Sequence, residues 1–362
     1  MTGTELNPLR SVYTESLPNI LQQLGLSLFV STYQAGKLVV LRADEGKLNT
    51  HFRQFEQPMG IAVNQHHLAI GTAREIGIFH NVPAVTAKLE PPGKHDACYL
   101  PRKAHITGNI FIHEMAFGEG ELWFVNTRFS CLCTLDASNS FVPRWRPPFV
   151  SALSPEDRCH LNGIAMFNGK PRCVTAHGSS NNAQGWREKK VNGGIVMDVA
   201  NGEIVASGLS MPHSPRIYGG KLWVLNSGFG SVGTVDLDTG KYEEFARLPG
   251  FTRGLDFYGN FAFIGLSQVR ETAVFSGIPI AEEEERSCGI WVLNIHTGET
   301  VAYVRFEDAL QEVFAVNILP NIRYPEVIND NPELIGDSFV LPDEALEDVP
   351  KSLLTEVEEM VS

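Results

Sequence analysis

The sequence predicts an all-β fold: a six-bladed β-propeller whose ring is closed by a C-terminal inner strand joining three N-terminal strands. Three observations lead there. Past residue 26 the chain is a succession of short β-rich runs separated by Gly, Asn and Asp turns. Strand–turn–strand units recur roughly every 40–60 residues, the period of propeller blades. The first unit lacks an innermost strand, and a run near the C-terminus supplies one. A blade built from both chain ends leaves no open sheet edge.

Residues 1–26 read as a lead-in, with a short helix over 17–26. Residues 28–32, 37–41 and 48–55 are the three N-terminal strands. Inner and second strands then alternate in five further units: 59–63 with 67–71, 113–117 with 121–125, 162–166 with 172–175, 213–217 with 221–225, and 253–257 with 261–265. Third strands follow at 76–79, 132–135, 194–197, 232–236 and 290–293. Asx-Gly turns introduce a fourth in two units, at 242–245 and 301–304. Residues 312–316 close the ring. No Gly/Ser- or Pro-rich linker divides residues 27–328, so they read as one domain. Residues 329–362 form an acidic tail in which Leu346, Val349, Leu353, Leu354, Val357 and Val361 fall at helical spacing, predicting an amphipathic helix over 344–360.

Charge and composition exclude several functions. The 362 residues carry 29 Lys and Arg against 42 Asp and Glu, a net charge of −13. Nucleic acid and anionic membranes reward a basic surface, so neither is expected as a partner. No basic segment followed by an apolar core opens the chain, and no apolar stretch reaches the ~18 residues of a membrane span. A cytoplasmic protein is the expectation. The six cysteines form no CxxC pair, which argues for reduced thiols over disulfides or structural zinc. Cys131 and Cys133 alternate along a strand and share a face, as buried small hydrophobes do.

In an antiparallel blade the start of the inner strand, the end of the second and the start of the third lie on one face of the disc. Two columns of residues follow. The inner column reads Met59, His113, Asn162, His213, Arg253 and Glu312, with His160 two residues before Asn162. The second column adds Tyr33-Gln34, Thr72 to Arg74, Asn126 to Arg128, His177, Asn226-Ser227 and Gln268. Long insertions at 178–192 and 268–286 rise over the same face, which is how pockets form on rigid scaffolds. Imidazoles from His113, His160 and His213, with His177 as a fourth, make a mononuclear site for a divalent transition metal; zinc, iron, copper and nickel suit such ligands, calcium less so. Arg253, Glu312, Arg128 and Asn162 are the candidate catalytic groups, the arginines suiting a carboxylate or phosphate. Two alternatives stay open. The channel could hold only water, with His113 and His213 satisfied by carbonyls, or a metal-free site could use His as general base and Arg as anion clamp. The stretch 143–149 reads as a packed inter-blade loop with Trp145 filling a gap, or else as a lid or substrate anchor, and residues 186–190 in the 178–192 insertion read as a solvated loop, with a gate near His177 as the alternative.

The run His160-Leu-Asn-Gly-Ile-Ala-Met166 resembles the inner-strand motif of gluconolactonase- and regucalcin-type six-bladed propellers. That resemblance implies a central divalent metal with Asn162 as a ligand and Glu312 at a position similar to that family's glutamate. His213 stands where the family has an aspartate, which moves the expectation from calcium toward a softer metal. Almost the whole chain, through Phe29-Val-Ser-Thr-Tyr-Gln-Ala-Gly36, Asn126-Thr-Arg-Phe-Ser130, Met211-Pro-His-Ser-Pro-Arg216 and Arg253-Gly-Leu-Asp256, is similar to an uncharacterised bacterial family of conserved hypothetical proteins. The expectation is an enzyme with one metal ion at the channel mouth, acting on a small anionic or peptide-like substrate by hydrolysis, elimination or redox chemistry. The alternative is a non-catalytic propeller that binds a ligand or protein through its rim loops.

Overall fold

Strand Lys37–Asp44 carries the unbroken apolar run Leu38-Val39-Val40-Leu41. Strand side chains alternate between two faces, so such a run needs a sheet packed on each side. Leu38 and Val40 join Ile61, Ile70 and Phe79 of one neighbouring sheet. Val39 and Leu41 join Ile290, Val292 and Val304 of another. Repeated sheet by sheet, this requirement builds a ring. The computed structural model describes residues 9–269 and 275–351, and these form six sheets of four or five strands, a six-bladed propeller.

From the axis outward, blade one is Ala315–Pro320, Leu26–Thr32, Lys37–Asp44 and Lys47–Gln54. Blade two is Ile61–Val63, His67–Gly71, Glu75–Asn81 and Ala97–Ile106; blade three is Ile112–Gly118, Glu121–Asn126, Cys131–Thr134 and Val142–Trp145. Blade four runs Leu161–Phe167, Lys170–Ala176, Gly194–Asp198 and Ile204–Leu209. Blade five runs Pro212–Tyr218, Lys221–Asn226, Ser231–Val235 and Tyr242–Arg247, and blade six Phe251–Tyr258, Phe261–Ser267, Cys288–Asn294 and Thr300–Phe306. The inner strands neighbour one another in this order, and the last meets the first. A separate apolar cluster fills each of the six gaps between blades.

The ring closes as expected in kind but not in register. The closing strand is Ala315–Pro320, antiparallel to Leu26–Ser31, rather than residues 312–316. Val313 cannot join it, because its N–H and carbonyl are both bonded to the Ser267 hydroxyl of blade six, each at 3.0 Å. Glu312 therefore sits on the connection between blades six and one. The stretch 143–149 is also corrected: Val142–Trp145 is the outer strand of blade three, and Trp145 packs on the core shared with blade four.

The chain ends cover exposed edges, a general need of β-sheets. Ser11–Tyr13 extends blade six and Pro325–Val327 runs parallel to Ala97–Ile106 of blade two. Helix Ser16–Leu24 inserts Leu17 and Leu21 between blades one and six and ends at Gly25 in the left-handed conformation. Glu326 is buried and pairs with Arg53 at 2.9 Å, with His51 Nε2 3.2 Å away, both from blade one. In the tail, helices Pro332–Gly336 and Asp343–Leu346 are short; the expected 344–360 helix is α-helical only to Leu346 within the described residues, and its part beyond residue 351 lies outside them. Among the described residues no helix is long and apolar enough to cross a membrane. All six cysteines are free and buried, and the Sγ atoms of Cys131 and Cys133 lie 3.5 Å apart on one face.

Candidate functional site

Blades three, four and five admit the chain to the inner strand through a non-glycine residue of positive φ: Phe111 (49°), His160 (52°) and Met211 (47°). Such residues cost about 1 kcal/mol each and tend to gather at functional sites. Here the turn aims a carbonyl back at the imidazole two residues on. His113 Nδ1 lies 2.8 Å from the Phe111 carbonyl, and His213 Nδ1 2.9 Å from that of Met211. A hydroxyl from the end of the second strand meets the same nitrogens, Thr127 at 2.8 Å and Ser227 at 3.0 Å. Because a carbonyl only accepts, each Nδ1 carries the proton. Each Nε2 is then a lone pair, and it has no partner among the described residues.

In blade four the arrangement changes. His160 occupies the turned position itself, and its Nδ1 lies 3.0 Å from both carboxylate oxygens of Asp157. Asp157 also accepts from Trp186 Nε1 at 3.1 Å. His177 stacks on His160 at 4.3 Å between centroids and meets His213 edge-on at 5.0 Å. It is 1% exposed, and neither of its nitrogens has a hydrogen-bond partner among the described residues. Buried polar atoms rarely stay so, and the exceptions tend to mark sites that meet a ligand or water.

Burial first, then the nearby Arg253 charge, holds His113 and His213 well below the ordinary histidine value. Burial and its histidine neighbours do the same for His177. All three are neutral imidazoles at neutral pH. Burial lowers Arg253 to about 10, with Glu312 opposing the shift, so the guanidinium remains a cation. It donates to Glu312 at 3.2 Å and stacks 3.5 Å over Phe314. These groups surround a cavity of about 350 Å³ at the channel mouth, walled also by Tyr33, Phe111, Trp186, Phe251 and Phe275, within the ~300–1,000 Å³ range of small-molecule pockets. Further along the inner strands Glu114 pairs with Arg216 and accepts from the Ile164 N–H at 2.9 Å. Blades three and five are not adjacent, so this pair crosses the channel. Burial works against the Arg216 charge, but Glu114 and Asp256 outweigh it and hold the guanidinium above its ordinary value.

Of the residues singled out in the sequence, His113, His160, His177, His213, Arg253 and Glu312 line this one cavity. Asn162 and Arg128 do not. Asn162 turns away and its Oδ1 accepts from the Thr175 hydroxyl at 2.7 Å, so the ligand position implied by the gluconolactonase resemblance is not presented to the cavity. Arg128 donates to the Asn109 carbonyl and lies over the Phe111 ring. Among the described residues no three His, Cys, Asp or Glu side chains are grouped to hold a metal ion. The sequence reading missed Asp157, whose only signal is its place three residues before His160, and the aromatic walls Phe111, Phe251 and Phe314. The two insertions do reach the site, through Gln184, Trp186 and Arg187 from one and Phe275 from the other.

Residues 15–328 match the model of a family described as "Domain of unknown function (DUF4915)". No curated protein matches. Among solved structures, a chain of the "Crystal structure of Nidogen/Laminin Complex" is similar at a TM-score of 0.54 and 9% identity, over 82% of this chain and 100% of that one. A protein of unknown function from Bacteroides caccae is similar at 0.48 and 9%, over 82% and 99%. At such identities the first likeness speaks to the propeller fold alone.

Proposed function

We propose that this chain, which belongs to the DUF4915 family, binds a small organic anion in its axial cavity and moves a proton on it through the Asp157–His160 pair. The observation that carries the reading is that pair. A carboxylate on Nδ1 fixes the His160 ring and leaves Nε2 to face the cavity, the arrangement of an oriented general base. Arg253 supplies the anion clamp: of its five N–H donors, the pair with Glu312 occupies one. His113 and His213, neutral with Nδ1 protonated, can only accept through Nε2. They therefore suit O–H or N–H groups on the bound molecule. The substrate class is a carboxylate that also carries a hydroxyl or amine.

The test is a thermal-shift panel of hydroxy and amino carboxylates at ~10 mM, a concentration that reveals even weak millimolar ligands. A ligand should raise the melting temperature of the protein and not of Arg253→Met. Turnover of that ligand should fall about a hundredfold or more in His160→Asn, with affinity little changed. A panel in which no member stabilises the protein, or one that stabilises both forms equally, removes the reading.

A second reading has one observation in its favour. The Nδ1 atoms of His113, His160 and His213 rest on carbonyls or a carboxylate, the backing that metal-bound imidazoles use. A transition ion held there would polarise the substrate. Elemental analysis of protein purified without a His tag decides between them: about one ion per chain, lost in His113→Ala/His213→Ala, replaces the metal-free reading with this one.

A further inference from the structure

The Arg253–Glu312 ion pair is also the wall of a second chamber. That space, about 220 Å³, adjoins the first, and Tyr33, Phe251, Arg253, Phe275 and Glu312 line both. Beyond this shared waist the walls change chemistry. Imidazoles and Trp186 give way to Gln34, Gln268 and Gln311. Gln34 follows the second strand of blade one and Gln268 that of blade six, where its backbone N–H donates to the Gln311 carbonyl at 2.8 Å. Primary amides offer both donors and an acceptor. Three around one space suit a neutral group that does the same, an amide or a hydroxyl, and among the described residues Arg253 and Glu312 at the waist are the charged side chains that line the chamber.

We propose that the two chambers form one elongated site for a ring-bearing carboxylate with an amide or hydroxyl arm. The ring lies among His113, His160 and Trp186, the carboxylate on Arg253, and the arm among the glutamines. This narrows the anion-binding reading above and rests on it. The position of Arg253 sets the order of parts. A guanidinium at the waist requires the charge in the middle of the molecule, so a ligand whose carboxylate ends the chain fills one chamber only.

Isothermal titration with two probes tests this. 4-Hydroxyphenylpropionate and N-acetyltyrosine share the phenol and the carboxylate, and only the second carries an acetamido arm beside the charge. N-acetyltyrosine should bind about tenfold more tightly, the worth of one or two buried amide hydrogen bonds. Gln268→Trp, which fills the second chamber, should erase that ratio. Gln268→Ala, a mild change at an exposed position, should reduce it about threefold. The proposal is overturned if N-acetyltyrosine has no advantage, or keeps it in both Gln268 variants. Loss of the ratio alone leaves the anion-binding reading standing. Failure of both probes to bind, or binding unaffected by Arg253→Met, removes that reading and this proposal with it.

Discussion

His177→Phe isolates the electrostatics of the site. In the folded protein the imidazole is enclosed by His160, His213 and Trp186, and burial together with its neighbours holds its pKa well below the ordinary 6.5. The unfolded chain takes up a proton near that ordinary value; the folded one does not. Its neutral burial therefore carries no protonation cost above about pH 6.5 and is penalised progressively as pH falls below it. Going from about pH 7.5 to about pH 5.5, one such imidazole removes about 1.4 kcal/mol of stability, since the unfolded group is roughly ten-elevenths protonated at the lower pH. Phenylalanine has nothing to titrate. Its larger ring carries a packing cost, but that cost is the same at both pH values and cancels in the difference. Urea unfolding of both proteins at the two pH values gives four free energies, and the acid-induced loss should be about 1.4 kcal/mol smaller in the variant. An unchanged loss would refute the reasoning, because it would mean that His177 protonates in the folded protein as readily as in the unfolded chain.

Two further predictions concern the ring. A Cβ at Gly60 would lie 1.9 Å from the His113 carbonyl and 2.8 Å from Met115 Cγ, so Gly60→Ala should lose roughly 3 kcal/mol in urea unfolding as the inner strands of blades two and three are forced apart; a loss under about 1 kcal/mol would contradict that close approach. Burial works against the Glu326 charge, but His51 and Arg53 outweigh it and hold the carboxyl at about 2 against an ordinary 4.5. A depressed carboxyl stabilises the fold above its ordinary value and ceases to as pH falls from there toward 2. Glu326→Gln should abolish about 3 kcal/mol of acid-labile stability in that window, read from unfolding at a series of pH values.

How much was legible in the sequence follows from what each feature rests on. Blade count came from alternation and turn residues, which act locally; His113 and His213 came from their register within repeats that are nearly regular. The closing strand was placed three residues early because Val313 and Phe314 look like strand residues, and only a hydroxyl from blade six, 46 residues away in sequence, takes Val313 out of the ladder. The outer strand of blade three went unread because Pro143 lies within it and Pro147 and Pro148 follow it, and proline marks a strand as unlikely except at an edge, which is where Val142–Trp145 lies. Arg128 was assigned to the site from its column alone. Its guanidinium turns to the Asn109 carbonyl instead, a choice of side-chain direction that spacing does not encode.

The same limit explains why Asp157 was missed, and it shows how one blade of a repeating scaffold departs from its neighbours. Strand pairing sets Ile112 opposite Asn126, Pro212 opposite Asn226 and Leu161 opposite Ala176. The residues that follow on the inner strands are His113, His213 and Asn162; those on the second strands are Thr127, Ser227 and His177. Blades three and five thus repeat one device, an imidazole held by a carbonyl and a hydroxyl. In blade four the inner imidazole has become an amide and the hydroxyl an imidazole, while the turned residue, Phe111 and Met211 in its neighbours, is His160. That ring is displaced from the column and has no carbonyl two residues back to meet. It takes its proton acceptor from the preceding loop instead, and the loop supplies Asp157. Both acceptors fix the ring through its Nδ1 proton, and a carboxylate adds a full negative charge beside it. The departure of blade four from its two neighbours therefore places, beside the carbonyl-backed imidazoles of His113 and His213, a histidine backed by a carboxylate.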